Sequence, residues 1–328
     1  MSVKIAFIGC GGVSNGHARR ILDMPDAEIV ALCDNNPDQL SAYQQRYRQL
    51  AAVPAFTDWR KMLDSVEIDA VEIHTPHTLH YEQIMTSLDR GLHVLTEKPM
   101  VCRTDHALDV VRKVKESDRK LQVSYQRHFE PAFRYIRDLI ARGEIGSVQF
   151  VTAWQSQEWK QLTTGLWRQK PELSGGGQLN DSGSHLIDIV LWTTQLIADE
   201  VSAFIDNRGT PVDINSAVNV RFTNGAQGTI NIIGDGMRFD EEITIFGDKG
   251  VLAIRGGRLT YIDSDNEVHL PQRMPRSTDP DRNFVDAILG KDELQVPVEC
   301  GLRVIQLTEA AWKSAKAGAP VKVDHSES

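Results

Sequence analysis

The chain has 328 residues, 41% hydrophobic and 25% charged, with a formal net charge of −9. That is enough chain for two domains, each with its own core. An acidic chain without a basic run argues against a nucleic-acid or anionic-membrane partner, and no apolar run approaches the ~18 residues of a membrane span.

Residues 3–9 (VKIAFIG) are apolar and β-branched, which predicts a strand buried on both faces. A helix is expected over 14–24, a strand over 28–34, a helix over 37–48 and a short apolar piece over 53–56. Strands at 70–76, 93–99 and 121–126 then alternate with helices at 80–90 and 104–117. Such alternation predicts an α/β domain of Rossmann type, a doubly wound parallel sheet with right-handed crossovers. Strand-like sequence from Val3 leaves no room for a signal peptide, and the four cysteines (Cys10, Cys33, Cys102 and Cys300) form no Cys-x-x-Cys pair. They read as reduced thiols of a cytoplasmic protein.

The pattern changes after Arg127. A helix is expected over 131–142, stopped by Gly143. Strands follow at 147–157, 201–208, 214–223, 226–233, 241–247, 250–254 and 258–263. Asn224-Gly225 is a hairpin turn, and Val218, Val220 and Phe222 alternate with polar residues. Helices at 281–289 and 300–317 finish the chain. The domains expected are 1–126, binding a dinucleotide, and 127–328, an α+β domain with a mainly antiparallel sheet for substrate binding and oligomerisation. The last helix is a candidate to pack back on the first domain.

Gly9-Cys10-Gly11-Gly12-Val13-Ser14 follows the first strand and opens a helix. Gly9 permits a tight turn, Gly11 lets the backbone approach a pyrophosphate, and the helix N-terminus faces its charge. Ser14 stands where the fingerprint has a third glycine or alanine; it is small enough for close packing. Asp34 ends the second strand, where a carboxylate accepts from the adenosine ribose hydroxyls and repels a 2′-phosphate. NAD(H) is therefore expected over NADP(H). His74, His77 and His80 are spaced by three, but Pro76 interrupts any helix and no cysteine joins them, so no metal is expected. Thr75, Pro76, His77 and His80 are expected to line the cofactor or cap the next helix.

Lys98 lies in Thr96-Glu97-Lys98-Pro99, at the carboxyl end of a parallel strand. Ligands of open α/β sheets bind there, and an ammonium can hold a substrate oxygen as it loses a proton. Glu97 and Lys98 both join the cofactor-lining set, Glu97 in a structural rather than a chemical part. A second run, Gly175 to Asp188, leads a glycine loop into an apolar helix. Asp181 and His185 are four apart and would share one helical face. His185 can take a hydroxyl proton near neutral pH, and Asp181 can orient it or bind substrate. Trp154, Gln155, Trp159, Trp167 and Arg168 are candidates to stack on or hydrogen-bond a bound substrate, with core packing the alternative for each tryptophan.

Together the glycine turn at 9–14, the Thr75-to-His80 stretch, Glu97-Lys98-Pro99 and Asp181-x-Gly-x-His185 resemble the family of glucose–fructose oxidoreductase, inositol dehydrogenase and MocA. The resemblance runs along essentially the whole chain. It implies an NAD(P)-dependent oxidoreductase acting on a secondary hydroxyl or ketone of a sugar, inositol or related polyol. It implies Lys98 as the catalytic lysine, His185 as the general acid/base with Asp181 beside it, and Arg127 at a substrate-binding position. A cis Lys98–Pro99 bond and a homo-oligomer, dimer or tetramer, are implied likewise. Two other readings stand beside it: NAD-dependent glycoside cleavage without net redox change, and a non-enzymatic nucleotide sensor.

Overall fold

A computed structural model describes residues 2–271 and 273–325. The chain runs β1 (Val3–Ile8), α1 (Ser14–Leu22), β2 (Ala27–Cys33), α2 (Pro37–Arg46), β3 (Ala55–Phe56), α3 (Trp59–Ser65) and β4 (Ala70–Ile73). It continues through α4 (His80–Asp89), β5 (His93–Thr96), α5 (Thr104–Ser117), β6 (Leu121–Val123) and α6 (Pro131–Ala141). Next come β7 (Val148–Ser156), α7 (Trp159–Leu162), α8 (Pro171–Ser174), α9 (Gly183–Thr194), β8 (Ala198–Asp206) and β9 (Asn215–Phe222). Last are β10 (Gln227–Ile233), β11 (Asp240–Gly247), β12 (Val251–Arg255), β13 (Arg258–Ile262), β14 (Val268–His269), α10 (Pro280–Ile288), α11 (Val298–Ala317) and β15 (Val321–Lys322).

Two compact units result. The first holds residues 1–101, 109–125 and 278–299; the second holds 102–108, 126–277 and 300–328. The expected division placed 278–299 in the second domain, and the structure returns it to the first. The reason is apolar: Phe284 and Val285 of α10 are fully buried in one cluster with Ile5 and Phe7 of β1 and Leu32 of β2.

The first unit is a six-stranded sheet of order β3-β2-β1-β4-β5-β6, every pair parallel. This is the expected doubly wound sheet, and it aligns the ends of β1, β2, β4 and β5 on one edge. Its helices start where the sequence supplies caps. Asn36 accepts from the Asp38 N–H at 3.0 Å ahead of Pro37, and Asp58 accepts from the Arg60 N–H at 2.9 Å. The helix after Asp58, α3, lies where the sequence suggested none.

The second unit carries a nine-stranded sheet of order β14-β13-β12-β11-β7-β10-β9-β8-β15. Among the described residues only β7 and β10 pair in parallel, so the sheet is mainly antiparallel, as expected. Alternation decides its faces. Val218, Val220 and Phe222 are buried while Asn219 and Arg221 are exposed. Helix α9 packs on β7 and β10, and α6 packs on α9.

Candidate active site

Each unit brings together its own set of polar residues. In the first, the chain leaves β1 through Gly9, whose φ of +99° belongs to glycine. A Cβ there would stand 2.9 Å from the His74 carbonyl carbon, and the Gly9 N–H donates to Cys33 O at 2.8 Å. Gly11 and Gly12 face open space. Ser14 is fully buried, and its hydroxyl donates to Gly11 O at 2.7 Å; Asn15 Nδ2 donates to Gly11 O at 3.1 Å and Gly12 O at 3.0 Å. The two side chains stiffen the turn, so serine does what the usual small third residue does by packing. Val13 offers no side-chain cap to α1, whose N-terminus thus keeps its positive end for a ligand. Asp34 accepts from the Cys10 N–H at 2.9 Å and the Asn36 N–H at 3.0 Å. Each oxygen keeps a second acceptor direction. An open glycine turn, an uncapped helix end and a fixed carboxylate together fit a dinucleotide.

At the end of β4, Thr75 Oγ1 donates to Gln83 Oε1 at 2.6 Å. His80 is fully buried and spans two turns, with Nδ1 2.9 Å from Pro99 O and Nε2 2.9 Å from Thr75 O. Burial pushes its pKa down, and the two carbonyls work against that. A neutral ring has one N–H, so His80 donates to one of these carbonyls and packs against the other, between the Thr75-Pro76-His77 turn and the Lys98 turn. The Lys98–Pro99 bond is cis, and Lys98 itself is half-buried.

Beneath this turn lies a group that sequence reasoning missed. His17 of α1 stands with Nδ1 2.7 Å from Asp281 Oδ1 and Nε2 3.1 Å from Glu97 Oε1. Arg20, one turn along α1, donates to the other Asp281 oxygen. Burial opposes a charge on His17, but Asp281 and Glu97 outweigh it and hold its pKa well above the ordinary value. Burial likewise pushes Glu97 up, and the His17 hydrogen bond and charge outweigh that, holding it well below the usual range. Glu72 of β4 is fully buried, with Oε2 3.4 Å from both His17 Nδ1 and His74 Nε2. Burial above all, then Asp281, pushes its pKa well up. Burial, then the His17 charge, pushes His74 well down. His17, Glu72 and His74 offer ligand atoms within 4.8 Å of one another; His77 and His80 belong to no such group among the described residues. One signal was available: a glutamate inside an apolar strand of a parallel sheet needs a buried partner.

In the second unit, Gly175 (φ +67°) ends α8, and a turn follows that Asp213 holds. Asp213 accepts from the Gly177 N–H at 2.9 Å, the Leu179 N–H at 2.7 Å and Trp312 Nε1 at 3.1 Å. A Cβ on Gly177 would lie 1.9 Å from Asp213 O. Helix α9 runs from Gly183, and Asp181 lies in the turn just before it, with Ser182 between them already in the helical region. Asp181 accepts from Trp159 Nε1 at 2.8 Å and Arg168 Nε at 3.0 Å. The Arg168 guanidinium lies over the Trp167 ring at 4.5 Å. His185 is half-buried in the first turn of α9. Gln155 Nε2 donates to Ser182 Oγ at 2.7 Å and props the helix start.

The structure thus brings Asp181, Arg168, Trp167 and Trp159 together. It does not bring Trp154, which lies on the other face of β7 from Gln155; across the strands it shares a row with Phe204, Ala217, Asn231 and Glu242. Arg127 meets Glu241 through its two terminal guanidinium nitrogens, at 2.9 and 2.7 Å, both side chains nearly buried. Next to it, His128 Nε2 stands 2.8 Å from Asp188 Oδ2 of α9.

Residues 3–125 match the model of an oxidoreductase family with an NAD-binding Rossmann fold. Residues 133–253 match the GFO/IDH/MocA C-terminal domain. Among curated proteins, D-glucoside 3-dehydrogenase of Escherichia coli (strain K12) is 25% identical, over 98% of this chain and 97% of that protein. Inositol 2-dehydrogenase of Rhizobium meliloti (strain 1021) is 26% identical, over 96% and 97%. Among solved structures, the WlbA dehydrogenase from Bordetella pertussis, in complex with NADH and UDP-GlcNAcA, superposes with a TM-score of 0.85. It is 24% identical, over 98% of both chains.

Proposed function

The chain belongs to the GFO/IDH/MocA oxidoreductase family, and on that premise we propose that it moves hydride between NAD(H) and a secondary hydroxyl or ketone of a sugar, inositol or related polyol. The observation that carries this reading is Lys98. It stands at the carboxyl end of β5 in a sheet of dinucleotide-binding order, its turn packed through His80 against the Thr75 turn. The open glycine turn and α1 hold the pyrophosphate, and Asp34 holds the adenosine ribose. When bound, the nicotinamide supplies the hydride acceptor. Lys98 hydrogen-bonds the reacting oxygen and stabilises negative charge growing on it. His185 takes the hydroxyl proton. Asp181, fixed by Trp159 and Arg168, binds a neighbouring hydroxyl, and Trp167 offers a ring face to the sugar.

NADH formation across myo-inositol, D-glucosides, levoglucosan, aldoses and uronates tests this reading. A substrate on which NADH accumulates supports it; product without net NADH points to redox-neutral cleavage. Lys98→Met should lower kcat by ~10²–10⁴-fold and leave NADH binding unchanged. A near-parental rate in that variant overturns the assignment. Asp34 should make NAD+ the better cofactor in parallel titrations, because its carboxylate repels a 2′-phosphate.

We assign the outer face of the nine-stranded sheet to self-association. Phe204 is 78% exposed there, in one row with Trp154. Phe204→Asp should shift sedimentation toward the monomer while the NADH affinity stays.

A further inference from the structure

The His17 group is not consumed by the proposed chemistry, and it is an expensive thing to bury. Glu72, His17 and Asp281 are shielded from solvent, as is most of Glu97. A charge in such a place persists only when it is paired and hydrogen-bonded. The pairing here has a definite order. Both nitrogens of His17 face carboxylate oxygens at hydrogen-bond distance, so the ring carries two N–H donors and no lone pair for a metal. Asp281 takes Arg20 on its second oxygen and sits in the first turn of α10, where the helix dipole favours an anion. Neither oxygen of Glu72 accepts a hydrogen bond, which suits the neutral carboxyl. Asp279, half-buried, lies 3.6 Å from Arg20 at the edge of the group. His17 and Arg20 then balance Asp281 and Glu97.

The line of contacts ends at the lysine. Glu97 gives one oxygen to His17 and takes the Lys98 backbone N–H on the other at 3.2 Å. The Glu97 N–H donates to Ile73 O at 2.8 Å, which joins the turn to β4. His17 also packs its ring 4.5 Å from that of His74, whose carbonyl crowds Gly9.

We propose that His17 is a positioning residue: its imidazolium, clamped between Asp281 and Glu97, fixes the Glu97-Lys98-Pro99 turn. The role of the turn in catalysis rests on the reading of Lys98 given above; the clamp itself does not. Misplacing a reacting group by 1 Å can cost ~10²-fold in rate, so a clamp beneath it matters to catalysis without touching substrate.

Hydrogen exchange on the full chain tests the clamp without any substrate. In His17→Gln, the amides of Glu97 and Lys98 should exchange at least ~10-fold faster, beyond any change across the rest of the first unit. Should that variant fold poorly, His17→Gln/Asp281→Asn removes one charge of each sign, so that Arg20 and Glu97 still balance, and should show the same local gain. Nitrogen-15 NMR of the parent protein should find both ring nitrogens of His17 protonated at pH 8. With the best panel substrate, His17→Gln should lower kcat by ~10–100-fold and move KM and the NADH dissociation constant by less than ~3-fold. Added to Lys98→Met, it should cost little more, because the two act as one unit. Exchange at 96–98 that is unchanged, or that rises only in step with the whole unit, overturns the clamp; so does a neutral ring. A parental rate in Lys98→Met would instead sink the functional reading and leave the exchange result to decide the clamp.

Discussion

Glu72 shows what one side chain can cost. Its carboxyl keeps a proton in the folded state that the unfolded chain gives up above about pH 4.3. The folded form therefore binds more protons than the unfolded form, and the residue's contribution to stability falls as pH rises. Glu72→Gln removes that dependence. Its stability relative to the parent should improve between pH 4 and pH 8, by about 1.4 kcal/mol for each pH unit between the two pKa values. Urea denaturation of both proteins at the two pH values checks it; a constant difference would show that Glu72 is ionised when folded. At this scale the sequence was readable where a motif carries its own geometry. Gly9, Asp34 and Lys98 stand where their spacing implied. His17 and Asp281 were not readable, because 264 positions separate them and each alone looks like a polar residue on a helix. The partners of Asp181 carry no spacing signal: Trp159 opens α7, and Arg168 lies between α7 and α8.

Among elements, periodicity served where it had room. The alternation of β9 was visible along its length, and α5 occupies the expected span, Thr104–Ser117. It failed for α7 and α8, each four residues long, and for the seven-residue α3, because one or two turns show no stripe. Asp58 was the available cue for α3, a cap whose side chain meets the first helical N–H groups. The glycine run before α9 was legible as a loop, but its tether was not. Asp213 comes from another segment and converts the loop into a fixed turn. Gly177→Ala puts a methyl against the Asp213 carbonyl and should destabilise the protein by ~1–3 kcal/mol or more. Thermal unfolding measures this. A neutral result would mean that the turn relaxes freely, and Asp181 would then lack the fixed setting given to it above.

For the whole molecule, chain order and spatial order part company at residue 278. The amphipathic pattern of α10 announced a helix, but nothing in it named the surface it covers. That surface is the core of the first unit, where Phe284 and Val285 are buried and Ile288, Leu289 and Leu294 pack at the margin. Residues 1–125 alone should therefore bind a hydrophobic dye and melt without cooperativity. The same segment joined by a flexible linker to 278–299 should melt cooperatively. Equal cooperativity in the two would show that the late segment is dispensable. The arrangement also has a consequence in time. Synthesis proceeds from the amino end at ~5–20 residues per second. When Val123 emerges every strand of the parallel sheet exists, yet Asp281 has not been made. Throughout translation of 126–277 the nascent sheet carries an imidazole, two carboxyls and an apolar patch awaiting an absent helix. The ribosome must deliver most of the second unit before the first can close.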